Sequence, residues 1–296
     1  MSSPATPSRE PIFEPSPADH RVCPLCGADN RARTASRWSR GEWTVKVCGD
    51  CGFPYLENAP SCERLKDEFA WEKTSEEVTA ARRAAAPARA AASRQVKKLK
   101  RRLLKRRKVL DLLVGSVVDA ELSGHVVDVG CGTGSGVRKV AAELRERGLE
   151  ITPVGIEISA ELAVAAQEKC RQLEGRCLHA DALSGLENLA ENSTAGVIMS
   201  SYLEHEVRPR EVLAAALRVM KPAACCVVKV PNYDSINRRV AGTDWCGFRY
   251  PDHVNYFTPS SLRKMAEDCG FEIARQTLFD RFPTSDNMYA VLRKPA

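Results

Sequence analysis

Eleven residues constrain this chain more than any others. Val126–Gly136 reads VVDVGCGTGSG, a short apolar run that ends in acid and opens into glycines at 130, 132, 134 and 136. Glycine lets a backbone turn tightly and approach a ligand where a Cβ would collide. A helix near 135–147 follows, and the alternation then continues. Ile151–Ile156 reads as a strand with a helix near 159–173, Arg176–His179 as a third strand, and Gly196–Met199 as a fourth with a helix near 209–220. Cys225–Val230 is a continuous apolar run of the kind buried on both faces. A helix near 259–269 and closing strands at Phe271–Leu278 and Met288–Arg293 complete the pattern. Strands alternating with helices predict an α/β fold, a doubly wound, mostly parallel seven-stranded sheet.

The 296 residues suffice for one such domain of about 200 residues and a small appendage. No run of about 18 apolar residues exists, so a membrane span is not expected. Residues 1–19 hold five prolines and no apolar stretch, which reads as a mobile leader and not a signal peptide. A cytoplasmic protein is the expectation. The net charge of +6 conceals an asymmetry: residues 80–110 carry thirteen Lys or Arg and no acid, so the remainder is net acidic. The expected division is a leader (1–19), a cysteine module (20–56), a helical linker with a basic helix (57–109) and the α/β domain (110–296).

In a reducing compartment, paired cysteines suggest metal. Cys23-Pro-Leu-Cys26-Gly and Cys48-Gly-Asp-Cys51-Gly lie 21 residues apart, and each pair is followed by a glycine able to make a tight turn. Four thiolates at tetrahedral corners make a closed, structural Zn²⁺ site, a zinc ribbon, with Trp43–Val47 as a strand entering the second knuckle. The other eight cysteines are scattered and read mostly as small buried hydrophobes.

Acidic residues mark the carboxyl ends of the first three strands. Asp128 precedes the glycines, Glu157 can accept hydrogen bonds from ribose hydroxyls, and Asp181 lies just past the third strand. With these in place, Asp128–Gly134 resembles the first motif of the class I S-adenosylmethionine-dependent methyltransferases, Asp-x-Gly-Cys-Gly-x-Gly. The resemblance implies a Rossmann-like fold that cradles the amino-acid part of the cofactor on Gly130, Cys131, Gly132 and Gly134. It places Glu157 and Ile158 at the ribose, Asp181 and Ala182 at the adenine, and Asp128 and Ser200 along the same site.

SSYLEHEVRPREVL (200–213), KPAACCVVKVPN (221–232) and DHVNYFTPSSLRKMAEDCGFEI (252–273) are similar to a branch that includes ubiquinone-pathway O-methyltransferases. Two departures stand out. That branch has Gly-Gly where this chain has Ala223-Ala224, and left-handed alanine costs about 1 kcal/mol, so another form of turn is expected. Its acid three residues before Glu204, part of a proposed metal site, is here Ser201, so a catalytic metal at Glu204-His205 is not expected.

Methyl transfer needs an aligned nucleophile and usually a base. His205 and His253 are the candidates, with Trp245, Phe248, Tyr250, Tyr256 and Phe257 as the wall of an apolar acceptor pocket. Packing roles for both histidines, and positioning without a protein base, stay open. The signatures that the family uses for exocyclic base amines or RNA cytosine carbon are absent after the fourth strand.

Residues 94–108 contain ten Lys or Arg, while Val96, Leu99, Leu103, Leu110, Leu113 and Val117 keep helical spacing. That is a basic helix with one apolar stripe, serving either a polyanion such as RNA or docking alone. The favoured function is methylation of a hydroxyl, or an amine or carbon, on a small-molecule or carbohydrate-like acceptor. RNA methylation and a non-catalytic binding role are the alternatives.

Overall fold

The computed structural model describes residues 20–60 and 109–296. The leader, the basic helix expected over 94–108 and Cys62 lie outside the described residues.

Two short strands open the described chain, β1 (Val45–Val47) and β2 (Pro54–Leu56), paired antiparallel. Helix α1 (Val109–Asp119) leads into β3 (Gly124–Val129), α2 (Ser135–Glu146), β4 (Ile151–Glu157), α3 (Ala160–Arg171) and β5 (Arg176–His179). Then come α4 (Ala182–Glu187), β6 (Thr194–Ser200), α5 (Pro209–Val219), β7 (Met220–Pro231) and α6 (Ile236–Ala241). Helix α7 (Pro259–Asp268), β8 (Glu272–Arg275) and β9 (Asn287–Arg293) close the chain. The seven-stranded sheet has the order β5-β4-β3-β6-β7-β9-β8, with β9 antiparallel to both β7 and β8 and the other pairs parallel.

Helices cover both faces, as a parallel sheet requires. Val127, Val129, Val197, Met199, Val228 and Val230 pack with α5 and α7 on one face. Val126, Ile198, Cys225 and Val227 pack with α1 and α2 on the other. Of the apolar stripe, Leu113 and Val117 are buried on this second face, where a Cβ at Gly196 would lie 2.8 Å from Leu113 and 3.0 Å from Val117. Helix α7 begins at a capping box between Thr258 and Ser261, with Pro259 at its start.

Two local expectations are corrected. Ala223 does take a left-handed conformation (φ 65°), inside a register break where Met220 pairs with Thr194 and Cys225 with Gly196. Its N–H donates to Lys294 O, and the Lys294 N–H donates to Ala224 O, so the tail following β9 satisfies the distorted backbone. The strand expected over 271–278 stops at Arg275, because Asp280 accepts from Thr277 N and Oγ1 and from Arg275 Nε and turns the chain away. Cys246 is exposed, whereas Cys131, Cys170, Cys225 and Cys226 are buried as expected and Cys177 and Cys269 partly so. Among the described residues no helix is long and apolar enough to cross a membrane.

The cysteine module is built into the α/β domain. The Leu56 N–H donates to Val254 O, and the Tyr256 N–H donates to Pro54 O, so residues 254–256 extend the β1–β2 hairpin. Arg21 is half-buried and donates to the carbonyls of Val207 and Val254 and to Asn255 Oδ1. Asn255 Nδ2 in turn donates to Leu203 O (2.7 Å) and Glu206 O (2.6 Å). Asn255→Ala leaves Leu203 O and Glu206 O with only their longer bonds from Glu206 N (3.4 Å) and Arg21 Nη2 (3.3 Å), and removes one acceptor of the guanidinium, at about 1–3 kcal/mol per group. Denaturant titration is expected to show a loss of at least about 2 kcal/mol; a change under 0.5 kcal/mol contradicts the clamp.

Candidate cofactor and acceptor site

The carboxyl ends of β3, β4, β6 and β7 face one side, and the turn after β3 is shaped by close contacts. Gly130 and Cys131 both donate to Ile156 O, which draws the loop over the end of β4. A Cβ at Gly130 would lie 2.8 Å from the Tyr202 ring, and one at Gly134 2.9 Å from the Ala166 backbone. Both have left-handed φ, so only glycine fits. Gly132 is also left-handed, but a Cβ there meets nothing within 4 Å: its open face is available to a ligand.

Glu157 closes the loop from beneath. Its Oε2 accepts from Gly132 N (2.8 Å) and its Oε1 from Ser159 N (2.9 Å). Each oxygen keeps a second lone pair for a hydroxyl. Asp181 caps α4, accepting from Ser184 N and Oγ. Partial burial raises its pKa, but these hydrogen bonds outweigh it and hold the carboxyl below the ordinary carboxylate range. Ile158 and Ala182 follow Glu157 and Asp181 directly, at the ends of β4 and β5, Ala182 being buried.

A cavity of about 430 Å³ joins Asp128, Gly130, Cys131 and Ser200 to Val109, Leu110, Ile198, Lys229 and Tyr289. Its size suits a small ligand. The last four were not anticipated as site residues, nor was Val109. The available signal was Lys229, a single charge within the apolar run 225–230. A larger groove of about 1150 Å³ lies between the first knuckle and α5, lined by Pro24, Leu25, Arg210 and Lys264; none of the residues expected at the cofactor borders it.

His205 and His253 do not border the 430 Å³ cavity. Their rings meet edge to face, 4.7 Å apart. His205 Nδ1 donates to Asp252 O (2.9 Å) and His253 Nδ1 to Gly247 O (2.8 Å), leaving both Nε2 atoms as acceptors in the neutral form. Donor atoms of Glu204, His205 and His253 lie within 4.8 Å of one another. Among the described residues Glu204 Oε2 is buried without a hydrogen-bond partner, and burial pushes its carboxyl up to about 8. Burial and the nearby Arg249 hold His205 down to about 4. A metal was not expected here because Ser201 replaces an acid, but His253 supplies a third donor from a distant loop.

The aromatic residues form no acceptor wall. Trp245, Phe248, Tyr256 and Phe257 are at most 3% exposed. Phe248 stacks on Trp38 and Phe257 meets Phe53, so the cysteine module consumes this surface. The module's own sulfurs converge: Cys23 to Cys51 is 3.6 Å, Cys26 to Cys48 is 3.5 Å, and all four lie within 4.8 Å of one another. Gly27 N donates to Cys23 O, Gly52 N donates to Cys48 O, and both glycines are left-handed, so the two turns are built alike.

Burial and Glu157 raise the Asp128 carboxyl to about 7. Between its unfolded value near 4 and about 7, the folded state keeps a proton that the unfolded state has lost, so stability falls as pH rises. Asp128→Asn lacks this penalty. Its melting temperature relative to the parent is expected to climb between pH 5 and pH 8; a constant difference contradicts the shift.

The family described as "Methyltransferase domain" matches residues 88–276. A comparison with curated protein sequences finds no match. Among solved structures, the MccD protein has a TM-score of 0.50 at 13% identity, covering 63% of this chain and 96% of that one. Magnesium protoporphyrin IX methyltransferase from Synechocystis PCC 6803, with bound SAH, has a TM-score of 0.47 at 18% identity, covering 63% and 81%. The [4+2]-cyclase SpnF has a TM-score of 0.48 at 22% identity, covering 64% and 80%. With the family matched over well over half its length, the chain belongs to the methyltransferase-domain family and is an S-adenosylmethionine-dependent methyltransferase.

Proposed function

We propose that this enzyme methylates a hydroxyl, or less directly an amine or carbon, of a small-molecule or carbohydrate-like acceptor, and that its four N-terminal cysteines hold one structural zinc. The observation that carries the first part is the open face of Gly132 above the Glu157 carboxylate, beside a cavity that continues to Lys229 and Tyr289. When bound, S-adenosylmethionine would supply an electrophilic methyl on a cationic sulfonium. Gly130, Cys131, Gly132 and Gly134 cradle the amino-acid part, with Asp128 and Ser200 beside it. Glu157 and Ile158 hold the ribose, and Asp181 and Ala182 meet the adenine. His205 and His253 are the candidate bases through Nε2, but they sit with Glu204 off the cavity, so alignment of the acceptor without a direct protein base is the reading the geometry favours. The ubiquinone-pathway branch is supported by the Leu203-Glu204-His205 and closing segments.

Zinc is supported by the sulfur spacing. Metal–sulfur bonds of about 2.3 Å in a tetrahedron give sulfur separations of about 3.8 Å. Metal analysis is expected to find one zinc per chain, and its removal by a chelator to lower the melting temperature. Metal-free protein of unchanged stability would refute the assignment.

The RNA reading keeps one specific support: Val109 and Leu110 line the cavity and directly follow the basic run in sequence. Incubation with methyl-labelled cofactor and host extract separates the readings. Label in the small-molecule fraction is expected, whereas label in RNase-sensitive material transfers the function to RNA. Gly132→Arg is expected to weaken S-adenosylhomocysteine binding at least about 100-fold while preserving the circular dichroism spectrum, since an arginine fills the open face. Unimpaired binding in that variant, or absent binding in the parent, removes the cofactor assignment.

A further inference from the structure

The cavity extends past the cofactor loop across the ends of β6 and β7. Along β7 the side chains alternate: Cys226, Val228 and Val230 join the core of one face, and Cys225 and Val227 that of the other. Position 229 continues the second series, where another hydrophobe would fit the pattern. It is instead a lysine, and its strand partner on β9 is Tyr289. Directly opposed residues share a face, and both line the cavity.

The Lys229 ammonium has three donors. One reaches Ser201 Oγ at 2.9 Å. The ion pairs among the described residues leave Lys229 out. Glu204, the carboxyl whose charge it influences, is buried, which disfavours its charged form. Ser201 is exposed and left-handed (φ 59°), and it is held there by its own N–H bond to Lys229 O (2.8 Å). A strained non-glycine residue that presents a hydroxyl beside an uncompensated ammonium is the kind of backbone cost found at binding sites.

The two ends of the cavity differ in charge. Asp128 lines one end and can face a cationic methyl donor; Lys229 lines the other, two strands away across β6. At about 4.8 Å per strand that is roughly 10 Å, on the side of β3 opposite Glu157 on β4. We infer that Lys229 anchors the acceptor, which carries an anionic oxygen group (a carboxylate, phenolate or phosphate) held by the ammonium with Ser201 beside Tyr289. This inference rests on the methyltransferase reading above.

The test uses full-length protein saturated with S-adenosylhomocysteine and three probes: benzoate, phenyl phosphate and neutral benzyl alcohol. Calorimetry or NMR titration is expected to show at least one anion bound about tenfold or more tighter than the alcohol. Lys229→Met removes that preference and Lys229→Arg retains most of it, with homocysteine-cofactor affinity unchanged within about twofold in both. Equal affinity for charged and neutral probes, no anion binding, or an unaltered preference in Lys229→Met overturns the inference. So does a tenfold loss of S-adenosylhomocysteine affinity in that variant, which assigns the lysine to the cofactor's carboxylate. If the parent does not bind S-adenosylhomocysteine at all, the methyltransferase reading itself fails, a result distinguishable from all of these.

Discussion

Residues 254–256 are gripped from two sides, and the loop after β6 depends on that grip. On one side their backbone pairs with β2 of the cysteine module; on the other, the N–H groups of Val254 and Asn255 both donate to Glu204 O. The Asn255 side chain fastens the same loop through Leu203 O and Glu206 O. Arg21, beside the first knuckle, reaches both partners. Hydrogen bonds therefore tie the β1–β2 hairpin and Arg21, next to the first knuckle, to residues 254–256 and through them to the Leu203–Glu206 loop. Such polar networks are rigid when every member is satisfied and costly when one is lost. This gives the module a task in the architecture that requires no contact with substrate: it holds the loop after β6 in place.

The edge of the sheet handles its acids in different ways. Glu157 accepts from two backbone N–H groups, one to each carboxylate oxygen. Asp128 and Glu204 are raised by burial, to about 7 and about 8. A buried acid with a raised pKa responds strongly to any cation brought near it. Asp128 lines the cavity beside the glycine turn, and Glu204 lies within reach of two imidazole rings. The basic group at the far end, Lys229, completes a cavity whose polarity reverses along its length.

Much of this was legible in the residues. The glycines after an apolar strand, the alternation that follows and the two cysteine knuckles all rest on local rules: backbone freedom, side-chain period and ligand spacing. The structure places β5 at the residues expected, and the capping box at Thr258 follows from the same kind of local chemistry. The misreadings have a common cause. Ala223 adopts a costly conformation because the tail at Lys294 bonds the distorted backbone. Trp245, Phe248 and Tyr256 read as a pocket wall because nothing local says that Trp38 and the hairpin of another module cover them. Lys229 was legible only as an oddity until β9 set Tyr289 beside it.

The sequence by itself determined the fold class, the glycine turn after β3 and the grouping of the four cysteines, because each depends on residues close together in the chain or on a repeating pattern. Tertiary structure decided what the remaining chemistry faces. It turned the aromatic loop inward, joined His253 to Glu204 and His205 across nearly fifty residues, and put Lys229 at the end of the cavity opposite Asp128. Those placements follow from which strand edges pair and which apolar surfaces must be covered, and these are properties of the assembled chain.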